Sequence, residues 1–264
     1  MRIAVLAPTP SSLYSRLVIY LAALDPGVEV TAVVVRSLWS PRRVRQDLQR
    51  DGARLVQKVY QKLVLREKAY EQDDPETILA LARTAGLPGG NLAAIARPRA
   101  IPLFTVRDHN DSRSETALRA AQPDVIAFTG GGLIRANILG VPRLGVINCH
   151  MGILPQYRGM DVVEWPILEA SGGQPPIGLT LHFMDRGVDT GPILLQQRLD
   201  LRPGDSIPAI RQRLEPAMVL LMLEGIRGLR DGTITPAPQE PSAGHQYFVM
   251  HPRLKAAAAG NLRA

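Results

Sequence analysis

The sequence predicts an α/β fold, a doubly wound, Rossmann-like sheet of mostly parallel strands. Three observations carry that reading. Apolar runs rich in Val and Ile recur at 2–7, 28–35, 101–106, 125–128 and 144–147, the pattern of strands buried on both faces. Helix-length segments separate them, as parallel neighbours require. Turns bearing glycine or proline follow the carboxyl ends of three of them, at Pro8, Gly130 and Gly152, where open α/β sheets bind ligands.

Bulk properties agree with a large soluble core. The chain has 264 residues, 45% hydrophobic and 21% charged, enough for one large domain or a domain with an appendage. No apolar run approaches the ~20 residues of a membrane helix, and the opening strand does not read as a signal peptide. A single cysteine, Cys149, excludes an intrachain disulfide and suits a cytoplasmic setting. The net charge is +7, and it is localised. Between Arg36 and Lys68 stand ten Lys or Arg against Asp47, Asp51 and Glu67, a surplus of seven that accounts for the whole excess. Such a patch could meet phosphate or RNA, or be a solvated helix face.

In chain order, Arg2 to Ala7 reads as a central strand. Pro8-Thr9-Pro10 then leads to a helix from Leu13 to Leu24, with Ser11 or Ser12 as its cap. Asp25-Pro26-Gly27 turns into the β-branched strand Val28–Val35. Residues 37–72 form the basic segment. Leu55/Val56, Val59/Tyr60 and Leu63/Val64 recur every four residues there, so it reads as a helical insertion. A helix follows Asp74-Pro75-Glu76 and ends near Gly86; a strand covers Ile101–Val106, and a helix reaches Ala121. Gly130-Gly131-Gly132 leaves the strand Val125–Phe128, permitting positive φ or close backbone approach. Met160 to Ala170 reads as a helix with Asp161, Glu164 and Trp165 on it. Strands Ile177–Met184 and Ile193–Leu201 flank the loop at Asp185–Pro192. A helix from Asp205 to Leu229 is expected to kink at Pro208 and Pro216. The parent domain thus spans 1–232, followed by an extension, 233–264, with one short strand near Gln246–Val249 and an alanine run at Ala256–Ala259.

The stretch Gly145–Gly159 organises the rest. Side chains alternate along a strand, so Asn148 and His150 share one face and Cys149 points to the other. That alternation argues against a thiol nucleophile. The five histidines show no paired-ligand spacing and CxxC is lacking, so no metal is expected.

Asn148-x-His150, then Leu154-Pro155-x-Tyr157-x-Gly159, then Gly187-Val188-Asp189-Thr190-Gly191-Pro192 resembles the folate-dependent formyltransferases, motif by motif and in order, from about 101 to 205. The resemblance implies a formyltransferase-type fold, 10-formyltetrahydrofolate as donor and a small amine as acceptor, with a homo-oligomer open. It assigns catalysis to Asn148, His150 and Asp189, and folate contacts to Leu133, Ile134, Arg135 and Val188. His182, in Thr180-Leu181-His182-Phe183, is assigned a structural role or one supporting the catalytic residues from behind. The leading acceptor is a nucleotide-linked amino sugar. Glycinamide ribonucleotide ranks second, because the first loop lacks the glycines expected around a phosphate. A formyltetrahydrofolate hydrolase is a rival enzyme, and a non-catalytic nucleotide- or RNA-binding module acting through the basic helix is a rival of another class. Nucleic acid is not the expected partner, since about 30 residues after Thr233 are too few for a five-stranded binding barrel.

Overall fold

The computed structural model describes residues 1–37, 74–170 and 173–262. β1 (Arg2–Ala7) leads into α1 (Leu13–Ala22), whose Ser12 cap accepts from the Ser15 N–H at 3.2 Å. β2 (Glu29–Arg36) follows. The basic segment, apart from Ser37, and the apolar face expected on it lie outside the described residues. Next come α2 (Ile78–Thr84), α3 (Leu92–Ala96), β3 (Leu103–Val106), α4 (Ser112–Ala121) and β4 (Val125–Phe128). A short α5 (Ala136–Leu139) precedes β5 (Gly145–His150), β6 (Tyr157–Gly159) and α6 (Glu164–Glu169). β7 (Gly178–Phe183), β8 (Ile193–Arg198), α7 (Ile207–Asp231), β9 (His245–Tyr247) and α8 (Pro252–Asn261) complete the order.

Seven strands form one sheet in the order β3-β2-β1-β4-β5-β7-β8. The first five pair in parallel, whereas β7 runs antiparallel to β5 and β8 antiparallel to β7. The strand order reverses between β1 and β4, which makes a crevice at their carboxyl ends. Alternation divides the core. Ile3, Val5 and Ala7 face a cluster with residues of α1 and α7, while Ala4 and Leu6 face one with Leu118 of α4 and Ile138 of α5. Ile3 and Leu6 are fully buried, each burial stabilising by about 2 kcal/mol.

Three elements differ from the sequence reading. The helix expected over 160–170 is confined to Glu164–Glu169, because Tyr157–Gly159 pairs in parallel with β9 and Asp161 takes φ +54°. α7 begins at Ile207, so Pro208 sits in its first turn, where a missing N–H costs nothing; only Pro216 is internal. The alanine run becomes α8, packed against α6. Asp161 and Glu164, read as an acidic helix face, are tied inward instead. Lys255 Nζ lies 2.9 Å from Asp161, and Arg211 bonds the buried Glu164 at 2.5 Å.

Candidate active site

β5 delivers the first two candidate side chains to the end of the sheet. Ile147 and Cys149 enter the core on the α1 side, and Asn148 and His150 take the opposite face, as alternation requires. Burial pushes the Cys149 thiol far above its usual range, which leaves it inert. The loop after β5 is pinned by Thr180, whose hydroxyl donates to the Gly152 carbonyl at 2.8 Å and accepts from the Leu154 N–H at 3.1 Å. Gly152 is needed here, because a Cβ would stand 2.9 Å from His150 Nε2.

The antiparallel β5–β7 pairing supplies the rest. Its register sets Asn148 opposite His182 and His150 opposite Thr180, and the loop after β7 turns Asp189 back over both histidines. Asp189 Oδ2 lies 3.4 Å from His150 Nδ1, and Oδ1 lies 3.5 Å from His182 Nε2. Asp189 adopts φ +54°, a conformation non-glycine residues rarely take. Its carboxylate also accepts from the Gly159 N–H at 2.9 Å. All three predicted catalytic residues therefore meet in one cluster, and His182, assigned a structural or supporting role from sequence, joins it. The signal for His182 was its position in a strand able to pair with β5, and only the register reveals it.

Hydrogen bonding fixes the ring orientations. His182 Nδ1–H donates to the Phe183 carbonyl at 2.7 Å, leaving Nε2 to accept from the Asn148 amide at 3.3 Å. One Asn148 amide hydrogen is used in this way and the second remains. His150 Nε2–H donates to the Tyr157 carbonyl at 2.8 Å, so Nδ1 faces Asp189. Burial draws His150 below the usual imidazole range, against the opposing pull of Asp189 and the Tyr157 carbonyl. Burial alone would raise the Asp189 carboxyl, but the His182 and His150 rings and the Gly159 N–H hold it below its ordinary value. A neutral His150 thus stands between two acceptors and can satisfy only one. Taking up a proton lets it donate to both, which offsets part of the cost of burying the charged ring.

The Gly130–Gly132 loop leaves β4 beside this cluster, because Phe128 pairs with Asn148. All three glycines have φ between +100° and +122°. Leu133 is 73% exposed, whereas the Ile134 side chain packs in the core. Asn110 organises this loop, donating to the Leu133 carbonyl at 2.9 Å and accepting from the Arg135 N–H at 2.7 Å. Arg135 is exposed and Val188 half-buried. Among the described residues, no group of three or more His, Cys, Asp or Glu is arranged to hold a metal ion.

A family profile described as formyl transferase matches residues 1–226. The chain belongs to the formyl transferase family. Members of this family are folate-dependent transferases that use 10-formyltetrahydrofolate. A methionyl-tRNA formyltransferase of Thermodesulfovibrio yellowstonii is 30% identical over 158 residues, covering 60% of this chain and 50% of that protein. The chain spans about half the length of the curated relatives it matches. Among solved structures, a sugar N-formyltransferase from a Shewanella species aligns with TM-score 0.57 at 12% identity, covering 99% of this chain and 87% of that one. A phosphoribosylglycinamide formyltransferase from Bacillus halodurans aligns with TM-score 0.55 at 16% identity, covering 87% and 95%. At such identities these two structures speak for the fold alone.

Proposed function

We propose that the chain moves a formyl group from 10-formyltetrahydrofolate to the primary amine of a small acceptor, an amino sugar carried on a nucleotide. The observation that carries the reading is the convergence of Asn148, His150 and Asp189 at the carboxyl end of β5. A folate donor fits there. The exposed Leu133 offers apolar surface, and the positive-φ glycine loop leaves its backbone open beside Asn148.

The bound donor supplies an activated formyl group. Asn148 offers its remaining amide hydrogen to the formyl oxygen, where negative charge develops as the amine attacks the carbon. The proton leaving the amine is held between His150 Nδ1 and Asp189 Oδ2. It passes to the folate nitrogen as the old carbon–nitrogen bond breaks. Asp189 keeps the imidazolium paired throughout, and the Tyr157 carbonyl holds the other ring nitrogen.

The acceptor class is supported by a cavity of about 530 Å³ lined by Tyr157 of β6. Tyr157, whose carbonyl holds His150, and Tyr247 both line it, their rings stacked on each other at 5.3 Å and 22°. Arg198 stands on its wall. Aromatic rings beside a guanidinium suit a planar base with an anionic linker. The test is a screen of amines with 10-formyltetrahydrofolate, read as tetrahydrofolate release. Release that depends on a nucleotide-linked amino sugar is the expected result. Equal release without an amine would make the protein a hydrolase, and preference for glycinamide ribonucleotide would replace the acceptor.

A further inference from the structure

Asp189 holds an unusual backbone conformation, and the residues that keep it there are not all in its own loop. Asp185 ties the loop locally, accepting from the Gly187 N–H at 2.9 Å and the Thr190 hydroxyl at 2.7 Å. The other restraint comes from residues 50 positions downstream. Gln239 Nε2 donates to the Asp189 carbonyl at 3.0 Å and to the Gly191 carbonyl at 2.6 Å, bracketing the turn. A two-bond bridge places the glutamine, with Ile193 N–H to the Ala237 carbonyl at 2.7 Å and Ala237 N–H to the Ile193 carbonyl at 2.8 Å. Gln239 Oε1 is buried without a partner among the described atoms. A half-satisfied buried amide is costly to keep, so the two bonds from its nitrogen must outweigh that cost.

The same extension reaches the pair from the other side. β9 runs beside β6, whose Tyr157 carbonyl holds His150 and whose Gly159 N–H holds Asp189. Gly159, at φ +97°, is required for that approach, because a Cβ would collide with the Tyr247 carbonyl oxygen. Residues 237–247 therefore grip both the backbone of Asp189 and the strand that binds its carboxylate. The family profile ends at residue 226, so this grip lies beyond the matched part of the chain.

We infer that Gln239 is a positioning residue for the His150–Asp189 pair, fixing the carboxylate by holding its backbone. The inference rests on the catalytic reading of that pair for its consequence in turnover, but not for its geometry. Gln239→Leu removes both donated bonds at similar volume, and Gln239→Asn keeps the amide one methylene short. The His150 ring is titrated by NMR in the full chain without ligands, and kcat and KM are measured separately. Because Asp189 raises the His150 pKa, its release in either variant lowers the His150 midpoint by roughly half a pH unit or more. Formyl-transfer kcat falls at least about tenfold, while the donor KM and the thermal midpoint of Gln239→Asn stay near those of the unaltered chain. A His150 midpoint unchanged in a folded variant overturns the inference. The catalytic reading fails separately: Asp189→Asn with full activity would sink it, while a shifted His150 midpoint in the Gln239 variants would still uphold the positioning.

Discussion

Two buried histidines sit at carboxyl ends of strands in the same sheet, and their surroundings give them opposite chemistry. His109 lies under the Gly130–Gly132 loop near the strand-order reversal. It is 1% exposed, its Nε2–H donates to the Ala7 carbonyl at 3.1 Å, and its Nδ1 is buried without a partner among the described atoms. Burial and then the nearby Arg36 cation push its pKa to about 4. His150 is comparably buried but faces a carboxylate and a carbonyl. One ring is locked neutral beside a cation, and the other gains a second hydrogen bond when protonated. Burial alone therefore does not mark a functional histidine; the partner charges do.

The largest effect that could break this comparison is catalytic. His150→Ala and Asp189→Asn each reduce formyl transfer by about 10³-fold or more, read as acceptor-dependent tetrahydrofolate release, whereas His109→Gln changes turnover only slightly. A large catalytic loss in His109→Gln would erase the distinction.

The next effect is on stability. Folded His109 titrates near 4 and an unfolded imidazole near 6.5, so the unfolded chain binds more protons between those values. The contribution of the neutral ring is complete above pH 6.5 and is lost as pH falls toward 4. Urea unfolding at pH 7 and pH 5 should differ by roughly 2 kcal/mol from this group, a difference absent in His109→Gln. The smallest effect sharpens the picture of the crevice between the two rings. Leu133→Ser raises the donor KM by about fivefold, roughly 1 kcal/mol, with kcat unchanged.

Much of this architecture was legible from local pattern. Val- and Ile-rich runs marked the parallel strands because strands buried on both faces tolerate little else. Strand alternation placed Asn148 and His150 together and turned Cys149 away. The order of three motifs pointed to the family before any coordinates. Local pattern misread the start of Met160–Ala170, because the chain just before it, Tyr157–Gly159, pairs with residues 245–247. Neither α3 nor α8 was anticipated.

The sequence by itself determined the seven strands of the main sheet, their faces and the identity of the amide, imidazole and carboxylate. Tertiary structure alone decided that Asp189, 39 residues beyond His150, returns to within 3.4 Å of it, that His182 stands opposite Asn148, and that Gln239 braces the turn. The physical reason is that propensity and alternation act over a few residues. Antiparallel register and the closure of long loops depend instead on which distant surfaces pack and which buried polar groups find partners.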